Sequence, residues 1–268
     1  MTTTVPAPAA DGTPTEADIL RAAAAWAWFP RGSEHVRGDL LLVRYPERFG
    51  GGVSGSQVTS ARPAAEVLDG ALERTRAWGE SVFTFWTNPA RPTPTSKRSS
   101  DAAVPCTSTP SPCSRVRPVE PAVDVTPGVS AEVVRAVDQL REVDAINVPV
   151  WEQQPLDDDG LRAEFAELTE ALDAGTGFRV LGRIDGRAGE HGRCTIVDGF
   201  TRLWGAATLE ADRGRAVYRA VLAERLRQSA ARGARTALVK GRVSTSAPIL
   251  ARAGFTRYGD ERGYRLAL

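Results

Sequence analysis

The sequence predicts an α/β (α+β) protein in which helices flank β-sheets, and two patterns predict it. Amphipathic segments that end at a glycine are typical of helices, and three of them are long: 62–78, 157–175 and 214–232. Short apolar segments that are rich in β-branched residues lie between them and are typical of strands. The clearest of these strand segments are 81–87, 177–185, 192–199, 201–209 and 236–243.

Composition narrows the class of protein further. The 268 residues, 42% of them hydrophobic, are enough for one large or two small domains with a buried core. The 34 basic and 33 acidic residues nearly cancel, so no nucleic-acid partner is expected. No apolar run approaches the roughly 20 residues that cross a bilayer, and residues 1–18 lack the basic and apolar regions of a secretory signal, so no membrane partner is expected either. Three cysteines fit a reducing cytosol and predict a cytoplasmic location.

The chain divides into four segments by composition. Residues 1–14 are rich in Thr, Pro and Ala and predict a disordered tail, whereas 15–90 and 123–268 have the patterns of folded halves. Within the first half we expect a helix that begins near Thr15, with Thr15 or Asp18 as its cap, and a strand within 35–46. Residues 46–57, which hold three consecutive glycines, predict a loop before the 62–78 helix and the 81–87 strand.

The segment 91–122 has two interpretations. Its part 91–118 contains six prolines, six serines and four threonines but no Leu, Ile, Gly or aromatic residue, so one interpretation is a disordered linker. The other starts from the gene, which the scarcity of lysine (Lys97 and Lys240 only) indicates is GC-rich. With GC-preferring codons, the shifted frame of 91–118 encodes an amphipathic helix, a glycine and an alternating strand. This order suggests a frameshifted stretch, and resequencing of the gene decides between the two.

The second half continues with a regular alternation of elements. We expect a strand over 130–137, a helix from Asp138 to about Ile146, and the 157–175 helix with acidic residues in its first turn. After the three strands and the 214–232 helix, the 236–243 strand is followed by a short helix over 246–255 and a final pair of strands.

One junction in this half carries chemistry. A strand ends at Leu209, and a short turn that contains Arg213, Gly214, Arg215 and Ala216 leads directly into a helix. Small residues let the backbone approach an anion closely, and the first turn of a helix offers unpaired N–H groups and a positive dipole end. The junction therefore predicts a cradle for a pyrophosphate.

These motifs resemble the GNAT superfamily of N-acyltransferases over residues 130–268. The family loop is Gln/Arg-x-x-Gly-x-Gly/Ala, which Gly214 and Ala216 match, whereas Ala211 departs from it. The segment 202–209 is similar to the family strand that lies along pantetheine, and 244–255 to its last helix and the Gly-Phe after it. The resemblance implies a mixed, mostly antiparallel sheet flanked by helices, and acetyl-CoA as co-substrate without a metal.

The resemblance also assigns roles to residues. It places Ala207, Thr208 and Leu209 along the pantetheine arm, with the Leu209 N–H as the donor that polarises the thioester carbonyl. The N–H groups expected to hold the pyrophosphate are those of Arg213, Gly214, Arg215, Ala216, Val217 and Tyr218. Ser244 and Ser246 are expected to contact the cofactor arm.

Several residues are alternative candidates for the general acid and the general base. Many relatives carry a tyrosine as general acid four residues before the Gly-Phe glycine, where this chain has Leu250. Tyr218, Tyr258 or water are alternative acids, and Asp198 or Glu152 are alternative bases.

Other residues have simpler interpretations. His191 is expected in an exposed loop, and with only two histidines in the chain no histidine-based metal site is expected. Cys194 predicts a buried thiol, and Trp204 either a buried strand residue or part of an acceptor pocket. Arg213 and Arg215 are also compatible with solvated side chains at the start of a helix. The acidic run 157–159 is compatible with a capped helix start.

The two halves show a weak internal repeat. When Gly79 is set against Gly233, Val67 falls on Val221 and Leu72 on Leu226, while Ser60 takes the place of Gly214. This predicts a tandem arrangement whose first half is a degenerate GNAT-like copy that does not bind CoA phosphates. Chance alignment of two amphipathic helices is the alternative.

The sequence thus predicts an acyltransferase that moves an acetyl group from acetyl-CoA to a primary amine of a small molecule or peptide. The alternatives are a catalytically weak acyl-CoA-binding or regulatory protein and a nucleotide-binding module. The acceptor and the oligomeric state are left open.

Overall fold

The computed structural model describes residues 14–87, 107–109, 112–118 and 126–268 of the chain. These residues fall into two compact units: a first unit made of Met1–Arg115 together with Gly241–Leu268, and a second unit, Val116–Lys240. The predicted tail over 1–14 and most of the predicted linker or frameshifted segment 91–122 lie outside the described residues. Strands nevertheless occupy 107–109 and 112–118, so a wholly irregular linker is wrong at those positions.

The elements are as follows in chain order. The helices are α1 (Glu16–Ala24), α2 (Ala64–Ala77), α3 (Val137–Trp151), α4 (Asp158–Asp173), α5 (Val217–Ala231) and α6 (Ser246–Arg252). The strands are β1 (Glu34–Arg37), β2 (Leu41–Arg44), β3 (Val53–Ser56), β4 (Val82–Trp86), β5 (Thr107–Thr109), β6 (Pro112–Pro118), β7 (Val129–Val133), β8 (Gly177–Ile184), β9 (Arg187–Val197), β10 (Phe200–Thr208), β11 (Thr236–Arg242), β12 (Thr256–Asp260) and β13 (Gly263–Ala267). No helix of the described part is long and apolar enough to cross a membrane.

The first unit departs from the sequence-based expectation in its strands. The predicted strand within 35–46 is a hairpin of β1 and β2, because Gly38 and Asp39 reverse the chain. The predicted loop over 46–57 contains β3, since its glycine run ends at Gly52 and Val53 begins the pairing with β2 and β4. The cap of α1 is Thr15, whose side chain accepts from the Asp18 N–H.

The sheet of the first unit is completed by the end of the chain. Its strand order is β1-β2-β3-β4-β13-β5, and only β3 and β4 pair in parallel. Helix α2 joins β3 to β4 and buries Val67 and Ala71 in a core with Leu42, Val53 and the fully buried Phe83.

The second unit contains a sheet in the order β11-β10-β9-β8-β7, antiparallel except for the parallel pair of β10 and β11. The β7 strand is shorter than predicted, and α3 begins at Val137 rather than after Asp138. The Gln139 side chain accepts from the N–H groups of Arg135 and Ala136 and so caps α3. The predicted start of α4 is confirmed, because the Asp157 carboxylate accepts from the Gly160 N–H.

Glycines bring α5 close to one face of this sheet. A Cβ at Gly182 would lie 2.5 Å from Val221 and 2.7 Å from Val217, and a Cβ at Gly192 would lie 2.7 Å from Arg225. Side chains at either strand position would therefore push the helix away.

The predicted repeat appears in the connection of the elements. Both β3–α2–β4 and β10–α5–β11 join two parallel strands through one helix. The helices end at Ala77 and Ala231, and each is followed by a glycine in the left-handed region, Gly79 at φ 73° and Gly233 at φ 80°.

Candidate functional site

The strand β10 runs beyond its pairing with β11. The two strands pair from Phe200 opposite Thr236 to Leu203 opposite Val239. A bulge follows, with Gly205 at φ 58°, and β10 then continues to Thr208 in antiparallel pairing with β9. One edge of β10 is thus released from β11 along its last residues, as expected for a strand that accommodates a ligand.

Backbone alternation decides which groups face this edge. The Leu209 N–H donates to the Gly189 carbonyl at 2.9 Å, so this donor faces β9 and is not available to a thioester as predicted. In an antiparallel ladder, neighbouring residues point their N–H and C=O groups to opposite sides. The N–H of Thr208, which is opposite Glu190, therefore faces the released edge.

The predicted cradle follows directly. A 3₁₀ turn over Glu210–Asp212 leads to Gly214 at φ 78° and to Ala216 at φ 67°, where α5 begins. Within the described residues, no group accepts a hydrogen bond from the N–H groups of Gly214, Ala216, Val217 or Tyr218. Unpaired donors at a helix start are what an anion binds.

An ion pair between a buried carboxylate and an exposed arginine holds this turn in place. Asp212 is fully buried, and its carboxylate accepts from both terminal nitrogens of Arg187 at 2.9 and 2.5 Å. A Cβ at Gly189 would lie 2.6 Å from Asp212 Oδ2, so the glycine makes room for the pair. Arg215, predicted to contact phosphate, is exposed and lies 3.4 Å from the carboxylates of both Asp212 and Asp185, and Arg213 is also exposed.

A buried carboxyl group lies beneath the end of β10. Glu190 is opposite Gly182 on β8 and Thr208 on β10, so it shares their face of the sheet, the one on which α5 packs. Its Oε2 accepts from the Thr208 hydroxyl at 2.9 Å, and its Oε1 has no partner among the described residues. Burial raises the pKa of Glu190 to about 8, with smaller opposing effects of Thr208 and Arg225.

Residues of α5 complete this buried region. Burial raises the pKa of the Tyr218 hydroxyl to about 12. Arg225 donates to the Trp204 carbonyl at 3.1 Å and to Cys194 Sγ at 3.4 Å. Cys194 is fully buried and burial raises the pKa of its thiol, so the predicted buried thiol is confirmed.

The opposite face of the sheet is also polar. His191 is not in an exposed loop as predicted: it is buried in β9, and its Nε2 lies 2.8 Å from Asn147 Oδ1 on α3. Burial and two nearby arginines lower its pKa, which keeps the ring neutral. Trp204 is half-buried, and the Arg193 guanidinium lies 4.9 Å from its ring centre.

Several predicted residues lie elsewhere. Ser244, Ser246, Leu250 and Tyr258 belong to the first unit, where Ser246 Oγ accepts from the Arg242 N–H at 2.8 Å and Leu250 is buried against Gly241. Asp198, a predicted base, is in the turn before β10, which spans about 26 Å from Phe200 to Thr208, so it cannot serve the same site. The other predicted base, Glu152, is exposed at the end of α3.

The corresponding loop of the first unit is closed by its own backbone. The N–H groups of Thr59 and Ser60 both donate to the Asp39 carbonyl, at 2.8 and 3.2 Å. Pro63, which has no N–H, precedes α2. Two N–H groups of the loop before α2 are therefore bound, whereas those of Gly214 and Ala216 before α5 have no acceptor among the described residues.

Comparison with solved structures identifies the fold. A GCN5-related N-acetyltransferase from Kribbella flavida superposes with a TM-score of 0.60 at 17% identity, covering 93% of each chain. A GCN5-related N-acetyltransferase from Sphaerobacter thermophilus superposes with a TM-score of 0.61 at 15% identity, covering 85% of this chain and 76% of that one. A tandem GNAT protein from the clavulanic acid biosynthesis pathway superposes with a TM-score of 0.58 at 14% identity, covering 93% of this chain and 87% of that one. No protein-family model matches the chain, and no curated protein matches it by sequence.

The chain therefore has the GNAT acetyltransferase fold, with two mostly antiparallel sheets flanked by helices, and the predicted fold class is confirmed. At this level of identity the likeness establishes the fold alone. Glu190 and His191 gave no local sequence signal, because their burial depends on helices that are distant in the sequence.

Proposed function

We propose that the second unit transfers an acetyl group from acetyl-CoA to a primary amine of a small molecule or peptide. The observation that carries this is the run of free N–H groups at Gly214, Ala216, Val217 and Tyr218, placed where β10 leaves β11. These donors and the helix dipole suit a pyrophosphate. Acetyl-CoA, when bound, supplies the acyl group as an activated thioester.

The end of β10 provides the next contact. The thioester carbonyl needs a donor at the released edge of the strand, and we assign this role to the Thr208 N–H in place of Leu209. Ala207 and Thr208 would flank the pantetheine arm. Arg213 is an exposed cation beside the cradle and would add charge.

Proton removal from the amine is assigned to Glu190 acting through Thr208. The half-buried Thr208 hydroxyl passes its proton to Glu190 Oε2 as it accepts one from the amine, so one proton reaches the carboxylate for each amine that attacks. Thr208→Val removes this path and keeps the backbone donor. The variant should therefore show a large decrease in kcat and a smaller change in KM. Thr195→Val, in the neighbouring strand but on the other face, is the matched control.

Tyr218 is the proposed proton donor to the leaving thiolate. Its hydroxyl has a pKa of about 12 and therefore stays protonated at neutral pH, at the first turn of α5. Leu250, in the position that the family resemblance gives to a tyrosine, is buried beside Gly241. A cytoplasmic location is part of this proposal, with which the free, buried Cys194 is compatible.

The site is tested with a pair of glycine variants. Gly214 and Gly233 have almost the same φ, 78° and 80°, and a Cβ at either position would meet nothing within 4 Å, but they flank opposite ends of α5, about 22 Å apart. Both substitutions to valine strain the backbone alike. Acetyl-CoA should raise the melting temperature of the wild type and of Gly233→Val, and should not raise that of Gly214→Val.

Turnover separates an enzyme from a binding protein. With acetyl-CoA and a panel of amines, the enzyme releases free CoA thiol, whereas a catalytically weak acyl-CoA-binding protein shows the thermal shift without release. If Gly214→Val and Gly233→Val respond equally to acetyl-CoA, the cradle assignment is wrong. Stabilisation by ATP but not by acetyl-CoA would indicate a nucleotide-binding module instead.

A further inference from the structure

A pocket of about 240 Å³ opens on the first unit, away from the loop that precedes α2. It lies at the start of the parallel strands, where Val53 begins β3 and Val82 begins β4. Alternation along β4 places Val82, Thr84 and Trp86 on the face opposite Phe83, which belongs to the core beneath α2. The pocket is thus on the sheet face that α2 does not cover.

Aromatic side chains from separate segments form its walls. Trp28 follows α1, Tyr45 and Phe49 flank the turn after β2, and Trp86 ends β4. The Trp28 ring lies 5.6 Å from the Tyr45 ring and 5.2 Å from the Phe49 ring, which it meets edge-on. Rings held in this way present apolar faces at fixed angles, which favours a planar apolar ligand.

Among the described residues that line the pocket, one is a cation, Arg265. Arg265 on β13 is opposite Thr84 on β4, and both line the pocket. In the described part of the chain no carboxylate forms an ion pair with Arg265. The Glu80 carboxylate near the mouth is already bound to Arg44 at 2.8 Å and to the Gly52 N–H at 2.9 Å.

The mouth is built from three glycines. Gly50, Gly51 and Gly52 have φ values of 87°, 61° and 78°, a conformation that other residues rarely adopt. A Cβ at Gly52 would lie 3.2 Å from the Val82 carbonyl, whereas one at Gly50 would meet nothing within 4 Å. The bare backbone at Gly50 therefore leaves the entrance open.

We propose that this pocket binds a small aromatic carboxylate. The planar body lies among the rings of Trp28, Phe49 and Trp86, and the carboxylate accepts from Arg265 with help from the Thr84 hydroxyl. Arg265 selects against ammonium ligands, which an aromatic cage without a cation would bind. The site is independent of acyl transfer in the second unit.

The test is calorimetric titration of the full chain with benzoate, benzamide, benzylamine and indole-3-acetate. Benzoate and indole-3-acetate should bind, benzamide about tenfold more weakly than benzoate, and benzylamine not at all. Arg265→Gln should weaken benzoate about tenfold and leave benzamide unchanged. Arg252→Gln, at an exposed position on α6 of the same unit, should change neither.

A second variant guards against misfolding of the first. Phe49→Ala removes one wall and keeps the arginine, so it should weaken benzoate and benzamide by the same factor. The proposal is overturned by equal affinity for benzoate and benzamide, by preference for benzylamine, by an Arg265→Gln variant that binds benzoate as the wild type does, or by no binding of any of the four compounds at millimolar concentration.

Discussion

The burial of Glu190 makes the stability of the protein depend on pH in a defined direction. Its carboxyl is fully buried and its pKa is raised from 4.5 to about 8 in the folded chain. Between these values the folded state keeps the proton and the unfolded state has released it. The contribution of Glu190 to the free energy of unfolding therefore falls by about 1.4 kcal/mol for each pH unit in this range, because the unfolded state binds fewer protons at this group.

Glu190→Gln removes this dependence because glutamine does not ionise. The stability of the variant relative to the wild type should rise by up to about 1.4 kcal/mol per pH unit from pH 5 to 8 and then level off. Over the whole window the variant gains up to about 4 kcal/mol in stability relative to the wild type. The substitution also removes the carboxylate that we propose as the base. The variant should therefore be more stable and less active at pH 8, and the wild-type kcat/KM should rise with pH towards about 8.

The assay is urea unfolding, followed by far-UV circular dichroism, at half-unit steps from pH 5 to 9. Glu142→Gln is the matched control: Arg183 lowers the pKa of Glu142, so that group is ionised in both states throughout this range and the difference from wild type should be constant. A constant difference for Glu190→Gln would refute the reasoning, since it would mean that the Glu190 carboxyl titrates near 4.5 in the folded chain.

Three further predictions follow from the packing. Gly182→Ala should destabilise the second unit by about 1–3 kcal/mol in urea unfolding, because the new Cβ meets Val217 and Val221 within 2.7 Å; unchanged stability would contradict the close approach of α5. Asp212→Asn should weaken acetyl-CoA binding in calorimetry, because the cradle loses its ion pair with Arg187, and wild-type affinity would refute that role. Deletion of residues 263–268 should lower the melting temperature, because β13 leaves the sheet of the first unit between β4 and β5; an unchanged melting temperature would argue against that pairing.

Local signals in the sequence predict the elements that local interactions decide. The start of α4 follows from the Asp157 cap, and the ends of α2 and α5 follow from Gly79 and Gly233, which adopt the left-handed conformation that ends a helix. The cradle before α5 is also local, since the small residues and the helix start are consecutive.

Local sequence patterns do not predict features that depend on residues far away in the chain. Strand β3 contains Gly55 and follows three glycines, so it lacks a strand pattern, yet a Cβ at Gly55 would lie 2.6 Å from Phe83, and the glycine is required by that contact. Glu190 and His191 are adjacent in β9 and lie on opposite faces, each buried by a helix that the local sequence does not specify. The Leu209 donor is lost to Gly189 because the register of β9 and β10 decides which N–H faces the ligand.

The two crossovers share one topology and differ in the features on which the proposed ligand site depends. In β10–α5–β11 the first strand extends from Leu203, the end of its parallel pairing, to Thr208, whereas in β3–α2–β4 the pairing ends at Gly55 and the strand at Ser56. The longer strand has a free edge with Glu190, the proposed base, beneath it, and the shorter one ends in a loop whose Thr59 and Ser60 N–H groups donate to the Asp39 carbonyl. Because the difference lies in strand length and loop hydrogen bonds, glycine alone at position 60 would not restore a cradle. Ser60→Gly should leave the acetyl-CoA stoichiometry at one per chain, and a stoichiometry of two in calorimetric titration would contradict this account.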